Sequence, residues 1–160
     1  MEVLAATASI AGLLSLAGQC ISGAQELKTF YQDLCKASTT IRFFLKDVNN
    51  LLNTLHDVQD LLQRVKEQAE LDLDTVHTAS LQIQLEDCNV NVVAWLVTAR
   101  SMRDCNGKSS RALFRKLWVT VNKDSVDNIR DEMRCRRVEI SVALSILGRY
   151  IYQLGVIIIR

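Results

Sequence analysis

The sequence predicts an all-α protein, a bundle of about four to five helices. The 160-residue chain contains no proline and only six glycines, so turn-rich β architectures and disordered linkers are both disfavoured. Apolar residues recur every seven positions over long segments, which is typical of amphipathic helices that pack at shallow angles. At this length we expect one domain over residues 1–160, large enough to bury a core without staples.

The first helix is predicted from Val3 to Gln25, a stretch without a charged residue. At about 100° per residue, its larger apolar residues fall on one side and its small residues on the other. The larger apolar residues are Val3, Ile10, Leu13, Leu14, Leu16, Cys20 and Ile21. The apolar spacing continues to Leu34, and the Ser38-Thr39-Thr40 run predicts the end of this helix and the N-cap of the next.

Two interpretations of this helix stay open, and both hold if the protein has two states. In one, it is a core helix with its small face toward a neighbour or solvent. In the other, it enters a membrane, because a helix of this length spans about 35 Å and a bilayer core is about 30 Å thick. Nine polar or glycine residues make such insertion marginal. We do not expect a secretory signal peptide, because such peptides begin with a basic segment and no Lys or Arg precedes Lys28.

Two sets of candidate residues follow from this helix. The candidate membrane-insertion residues are Val3, Leu4, Ile10, Leu13, Leu14, Leu16 and Ile21. Small residues four apart let two helix backbones approach closely. The candidate helix-packing face, called the small face below, consists of Ala8, Ala11, Gly12, Ser15 and Gly18.

The second helix, residues 41 to 65, has the clearest heptad pattern. It has two apolar rows with a seven-residue repeat. One is Ile41, Val48, Leu55 and Leu62, and the other is Phe44, Leu51, Val58 and Val65. Its other faces are filled by Lys46, Asp47, Asn50, Asp57, Asp60 and Arg64. A coiled-coil dimer would show the same rows, so oligomerisation through them also stays open.

The rest of the chain predicts an acidic connection and two or three further helices. The connection runs from Glu67 to Thr78 and includes His77. The third helix carries Leu81, Leu85, Cys88, Val92, Trp95, Leu96, Ala99 and Met102 and ends near Asp104. Ser109 or Ser110 caps a short helix containing Leu113, Phe114, Leu117 and Trp118. Asn122 caps a last helix whose residues recur every seven positions in two rows. One row is Met133, Ile140, Leu147 and Leu154, and the other is Ile129, Arg136, Ala143, Tyr150 and Ile157.

The residues predict neither an enzyme nor a cofactor or metal site. The five cysteines form no C-x-x-C pair, and scattered thiols are typical of a reducing cytosol. Gly107-Lys108-Ser109 resembles the end of a phosphate-binding loop, but it follows a helix instead of a strand. His56 and His77 have no serine or cysteine spaced to form a nucleophile-base pair.

Charge is divided along the chain. Residues 1 to 99 carry six Lys/Arg and twelve Asp/Glu, whereas residues 100 to 160 carry thirteen and six. The basic half is either a solvated surface or a binding surface for an anionic membrane or an acidic partner domain. Nucleic acid is disfavoured, because Phe114 and Trp118 have the spacing of core residues. The candidate basic surface is Arg111, Arg115 and Lys116.

The opening residues, Glu2 to Gly18, resemble the start of the fungal N-terminal domain of STAND proteins, a HeLo-like domain. The likeness covers nearly the whole chain and depends on the order of its segments. The later matching segments are Val48 to Leu62, Leu81 to Cys88, Leu117 to Arg130 and Arg137 to Leu144.

This resemblance implies the amino-terminal effector module of a fungal NOD-like receptor, followed by a nucleotide-binding oligomerisation domain and repeats. Related HeLo and four-helix-bundle modules execute programmed cell death, in heterokaryon incompatibility and innate immunity, by targeting membranes through an amino-terminal helix. That helix corresponds here to Val3 to Ser22. Because no basic residue precedes Lys28, we expect the later basic segment, and not the first helix, to bind lipid headgroups. The apolar end, Val156 to Arg160, also predicts the front module of a longer polypeptide.

We therefore expect a protein that is cytoplasmic at rest and reaches the plasma membrane on activation. Its expected partners are copies of itself, the downstream nucleotide-binding domain of the same chain, and an anionic membrane, but not nucleic acid or a small-molecule substrate. At rest, the first helix should lie against the seam of residues 41 to 65. The rival hypothesis is a helical interaction module, an adaptor or self-association domain without membrane activity.

Overall fold

The structure is a computed structural model, and it describes residues 2–34, 38–68, 75–104 and 122–158. These residues form four α-helices and no strand, which confirms the all-α helical bundle. The helices are α1 (Glu2–Leu34), α2 (Thr39–Glu67), α3 (Thr75–Asp104) and α4 (Lys123–Ile158). The short helix predicted to begin at Ser109 or Ser110 lies outside the described residues.

The four helices surround one core in a square arrangement. α1 packs against α2 and α3, and α4 packs against the same two helices, so α1 and α4 lie on opposite corners. Side-chain pairs between neighbouring helices show whether the helices run parallel or antiparallel. α1 and α3 are parallel, because Gln19 pairs with Asn89 and Glu26 with Arg100. α3 and α4 are antiparallel, because Asp87 pairs with Arg136 and Trp95 with Glu132.

The core is built from the predicted apolar rows. Both rows of α2 are fully or almost fully buried, and α1 lies against them as expected. Tyr31 near the end of α1 packs on Phe44 near the start of α2, with ring centroids 4.0 Å apart. α3 buries the predicted residues from Leu81 to Ala99, and α4 buries Met133, Ile140 and Leu147.

The structure refines or corrects three predictions about local structure. The backbone carbonyl of Ser38, the N-cap of α2, accepts a hydrogen bond from Arg42 N at 3.0 Å, but the Ser38 side chain makes no cap hydrogen bond. His77 was predicted in the acidic connection, but it belongs to α3, which begins at Thr75, so that prediction was wrong. Asp47 was predicted on an outer face of α2, yet it is buried because two arginines of α4 neutralise its carboxylate.

Candidate functional site

The candidate membrane-insertion residues of α1 lie mostly inside the bundle. Ile10, Leu13 and Ile21 belong to the buried core, and Leu14 and Leu16 pack against it while partly exposed. The side chains of Val3 and Leu4 lie outside the described part. Within that part of the chain, no helix combines the length and apolar character that crossing a bilayer requires. In this fold, the apolar side of α1 is therefore occupied by contacts with α2 and α3.

The small face of α1 lies on the opposite side, away from the core. Ala11, Gly12 and Ser15 are exposed, and Gly18 is half-buried. A methyl group added at Gly12 or Gly18 would meet no atom within 4 Å. The side chain of Ala8 is not described. None of the described small-face residues is therefore needed for contact with α2 or α3, and the face is open to another molecule.

Among the four glycines whose surroundings the structure describes, Gly23 is the one at which a side chain would clash, and sequence reasoning missed it. A Cβ atom at Gly23 would lie 2.5 Å from Val92 Cγ1 on α3 and 3.8 Å from Leu96 Cδ1. Such a separation is far below van der Waals contact, so the Val92 side chain packs directly against the α1 backbone, where residue 23 has no side chain. The sequence shows this glycine but not the valine that it meets.

The interface between α1 and α3 contains two cysteines that are distant in sequence. Cys20 and Cys88 are both buried, and Cys20 Sγ lies 3.4 Å from the backbone carbonyl oxygen of Leu85. A hydrogen bond with the Cys20 thiol, together with burial, raises the pKa of Cys88 above its usual range. At the solvent edge of this interface, Asn89 Nδ2 donates to Gln19 Oε1 at 3.4 Å, and Arg100 pairs with Glu26.

A charged cluster joins α2 to α4. Asp47 accepts hydrogen bonds from Arg130 Nε at 2.9 Å and from Arg134 Nε at 3.2 Å, and Arg130 also pairs with Asp127. Arg130 lies over the Phe43 ring, with Cζ 5.5 Å from the centroid. Although burial opposes its charge, the hydrogen bonds with Asp47 and Asp127 raise the pKa of Arg130. Because each buried charge here has partners of opposite sign, the cluster has the character of a structural clamp.

Trp95 and Glu132 make a second polar link, between α3 and α4. Trp95 is buried, and its indole nitrogen Nε1 donates to Glu132 Oε2 at 2.7 Å. A buried indole N–H needs a hydrogen-bond partner, and this one is charged. This hydrogen bond sets the axial position of α4 relative to α3, near the N-terminal end of α4.

Most of the remaining predicted site residues lie outside the part of the chain that the structure describes. Arg111, Arg115, Lys116 and the Gly107-Lys108-Ser109 segment lie outside the described residues. His56 is exposed on α2. Within residues 2–34, 38–68, 75–104 and 122–158, no group of three His, Cys, Asp or Glu side chains could hold a metal ion. The predictions that the chain is not an enzyme and takes no cofactor stay predictions.

Several large apolar side chains of α3 and α4 face solvent instead of the core. They are Ile83, Val90, Val93 and Val97 on α3, and Val138, Val142, Ile146 and Tyr152 on α4. Isolated apolar residues on a surface are ordinary, but aligned sets indicate contact surfaces. The α4 set from Val138 to Ile146 is bordered by Arg137 and Arg149.

Comparisons with protein families, with curated proteins and with solved structures found no match to this chain.

Proposed function

We propose that this chain is the amino-terminal effector module of a fungal NOD-like receptor, inducing regulated cell death by assembling with its own copies and targeting a membrane through α1. The sequence resemblance supports the receptor assignment. One structural observation carries the mechanism: α1 buries its apolar side in the core and leaves Ala11, Gly12 and Ser15 open. In the proposal, this open face is the one that packs against other copies, and the apolar side that would enter lipid is covered at rest.

In the proposed mechanism, clustering of the receptor brings many copies of α1 together. The small faces pack against one another, and the apolar sides exchange the bundle core for lipid. A charged residue at the bilayer centre costs about 2.5 to 3.5 kcal/mol, so the charge-free stretch from Val3 to Gln25 suits this step. The basic segment with Arg111, Arg115 and Lys116 would then contact anionic headgroups.

The test is leakage of dye from anionic liposomes. We expect Gly12→Leu to slow leakage by at least about tenfold, because a leucine on the small face prevents close helix packing and 1.4 kcal/mol is worth a factor of ten. A matched control is Asn53→Leu, which adds the same side chain at an exposed position of α2. Both variants should keep the helical circular dichroism spectrum of the parent.

Unchanged leakage with folded Gly12→Leu would contradict the insertion mechanism. Deleting residues 1 to 22 is a poor substitute, because it removes Ile10, Leu13 and Ile21 from the core and would unfold the bundle. Comparison of anionic with neutral vesicles tests the basic segment: equal binding to both would remove the lipid role of Arg111, Arg115 and Lys116.

The second candidate function is a helical interaction module without membrane activity. The exposed apolar residues of α3 and α4 favour it, because they offer contact surfaces that need no rearrangement of α1. A chain that assembles with its copies but leaves every liposome intact would establish this candidate and exclude the first.

A further inference from the structure

α3 has a second apolar seam that faces solvent. Ile83, Val90 and Val97 recur every seven residues, and Val93 follows Val90 by three. All four side chains are between 53% and 66% exposed. Seven-residue rows offset by three or four are the positions at which one helix packs against another. We call these four residues the outer seam of α3.

The charges beside the outer seam determine which partner fits it. Glu86 lies seven residues before Val93, and Arg100 lies seven residues after it, both exposed on the same side of α3. If two copies of α3 pack antiparallel about Val93, Glu86 of each copy lies level with Arg100 of the other. A parallel pair would instead place like charges together. The seam is therefore self-complementary in one orientation.

The exposed apolar face of α4 lacks this property. Val138, Val142 and Ile146 are also aligned and exposed, but Arg137 and Arg149 lie at the two ends of the face. An antiparallel pair of this face would set Arg137 of one copy level with Arg149 of the other. The like charges would oppose association, so charge complementarity favours α3 over α4 as the surface between copies.

We propose that the outer seam of α3 is the surface through which two copies of this chain associate, antiparallel and with two-fold symmetry. This inference rests on the proposed function, because it assigns a surface to the assembly step. A stable dimer buries about 800 Å² per partner, more than four side chains supply. The pairing is therefore weak in the free chain and strong once copies are tethered in a cluster.

Disulfide trapping tests the position of the contact. In a background with Cys35, Cys105 and Cys135 changed to serine, the two variants are oxidised by a diazenedicarboxamide reagent, which accepts the two electrons and two protons that the thiols lose. Val93→Cys should then form a disulfide-linked dimer at least about tenfold faster than Val142→Cys, because self-association raises the local thiol concentration. The two positions are matched, with 53% and 54% of the parent side chain exposed. Equal rates for the two variants would overturn the proposed surface.

Charge reversal tests the orientation. Sedimentation equilibrium of the 160-residue chain should show that Glu86→Arg and Arg100→Glu each weaken self-association by about tenfold, since each turns two attractions per dimer into repulsions. The double variant restores opposite charges and should return to within about threefold of the parent. Circular dichroism of each variant establishes that the bundle is still folded, which matters because Arg100 also pairs with Glu26.

The outcomes separate this inference from the proposed function. A chain that self-associates while none of these substitutions alters its dissociation constant has another surface, and only the α3 assignment falls. A chain that stays monomeric at every concentration, with no faster trapping at Val93→Cys, removes the assembly step and the α3 surface together. Weakening by both single variants with recovery in the double variant would support the antiparallel pair.

Discussion

Gly23 and Gly12 are both glycines inside α1, yet the fold uses only one of them. Alanine is favoured over glycine in a helix by about 1 kcal/mol, so each substitution gains this amount of propensity. At Gly23 the added methyl group would also lie 2.5 Å from Val92 Cγ1. Overpacking of this kind costs about 1–3 kcal/mol, and Val92 is β-branched with a restricted χ1 angle.

We therefore expect Gly12→Ala to raise the free energy of unfolding by up to about 1 kcal/mol. Gly23→Ala should be less stable than Gly12→Ala by about 1–3 kcal/mol, the cost of overpacking. Urea unfolding followed by circular dichroism measures both. The double variant Gly23→Ala with Val92→Ala should regain part of the difference, and equal stabilities of the two single variants would argue against the close approach.

Asp47 and Arg130 form a largely buried ion pair between α2 and α4. The Asp47 side chain is 10% exposed and that of Arg130 is 14% exposed, so Asp47→Asn leaves a largely buried guanidinium without its main partner. Breaking such a pair costs about 3–5 kcal/mol when it is fully buried, and we expect about 2–3 kcal/mol because Asp127 remains. Asp131→Asn is the control: it removes another partner of Arg134 at a 76% exposed site and should cost less than about 1 kcal/mol.

At the scale of the helices, periodicity predicted most of what the structure contains. The rows of α2, the core side of α1 and the exposed small face follow from spacing alone, because amphipathic helices bury their apolar side in any bundle. The pattern does not say which helix lies beside which. The closeness of Gly23 to Val92, the Cys20–Cys88 pair and the burial of Asp47 each depend on that choice, so the sequence could not reveal them.

Tyr31 connects α1 with α2 and makes their contact sensitive to pH. Burial raises the pKa of its hydroxyl above the ordinary value of 10.0. Above pH 10 the unfolded chain therefore loses this proton while the folded chain keeps it, so the stabilising contribution is complete below pH 10 and is lost as the pH rises further. At pH 11 the loss should reach about 1.4 kcal/mol, one pH unit of linkage.

Denaturant unfolding between pH 8 and pH 11 measures this loss. In Tyr31→Phe the aromatic contact with Phe44 remains but the titrating hydroxyl is gone, so its stability should fall less steeply over the same interval. Cys88, whose pKa is also raised, adds a fall of its own in both proteins and cancels in the comparison. Parallel pH profiles for the two proteins would show that the Tyr31 hydroxyl is accessible to water.

At the scale of the whole molecule, the proposed function requires a helix that contributes to the core to leave it. Exposing a buried aliphatic side chain costs about 1.5–3 kcal/mol, so Ile10, Leu13 and Ile21 together represent about 5–9 kcal/mol. The net stability of a domain is about 5–15 kcal/mol. Release of α1 into water is therefore close to unfolding, and we expect it only where lipid or neighbouring copies cover its apolar side.

The buried pair Cys20 and Cys88 provides a direct test of that release. With Cys35, Cys105 and Cys135 changed to serine, the protein is oxidised by a diazenedicarboxamide reagent in a urea concentration that opens the bundle transiently, because the two thiols are buried in the closed bundle. Oxidation then joins Cys20 to Cys88 and fixes α1 to α3 after the urea is removed. The link holds Cys20 against α3, so only residues 3–19 could leave the bundle. As a helix they span about 26 Å, less than the roughly 30 Å hydrocarbon layer, so we expect leakage from anionic liposomes to stop on oxidation and to return on reduction. Cys88→Ser cannot form the link and should leak equally under both conditions. If the cross-linked protein permeabilises liposomes as fast as the reduced protein, the membrane step does not require α1 to separate from α3 at Cys20, and the proposed release is wrong.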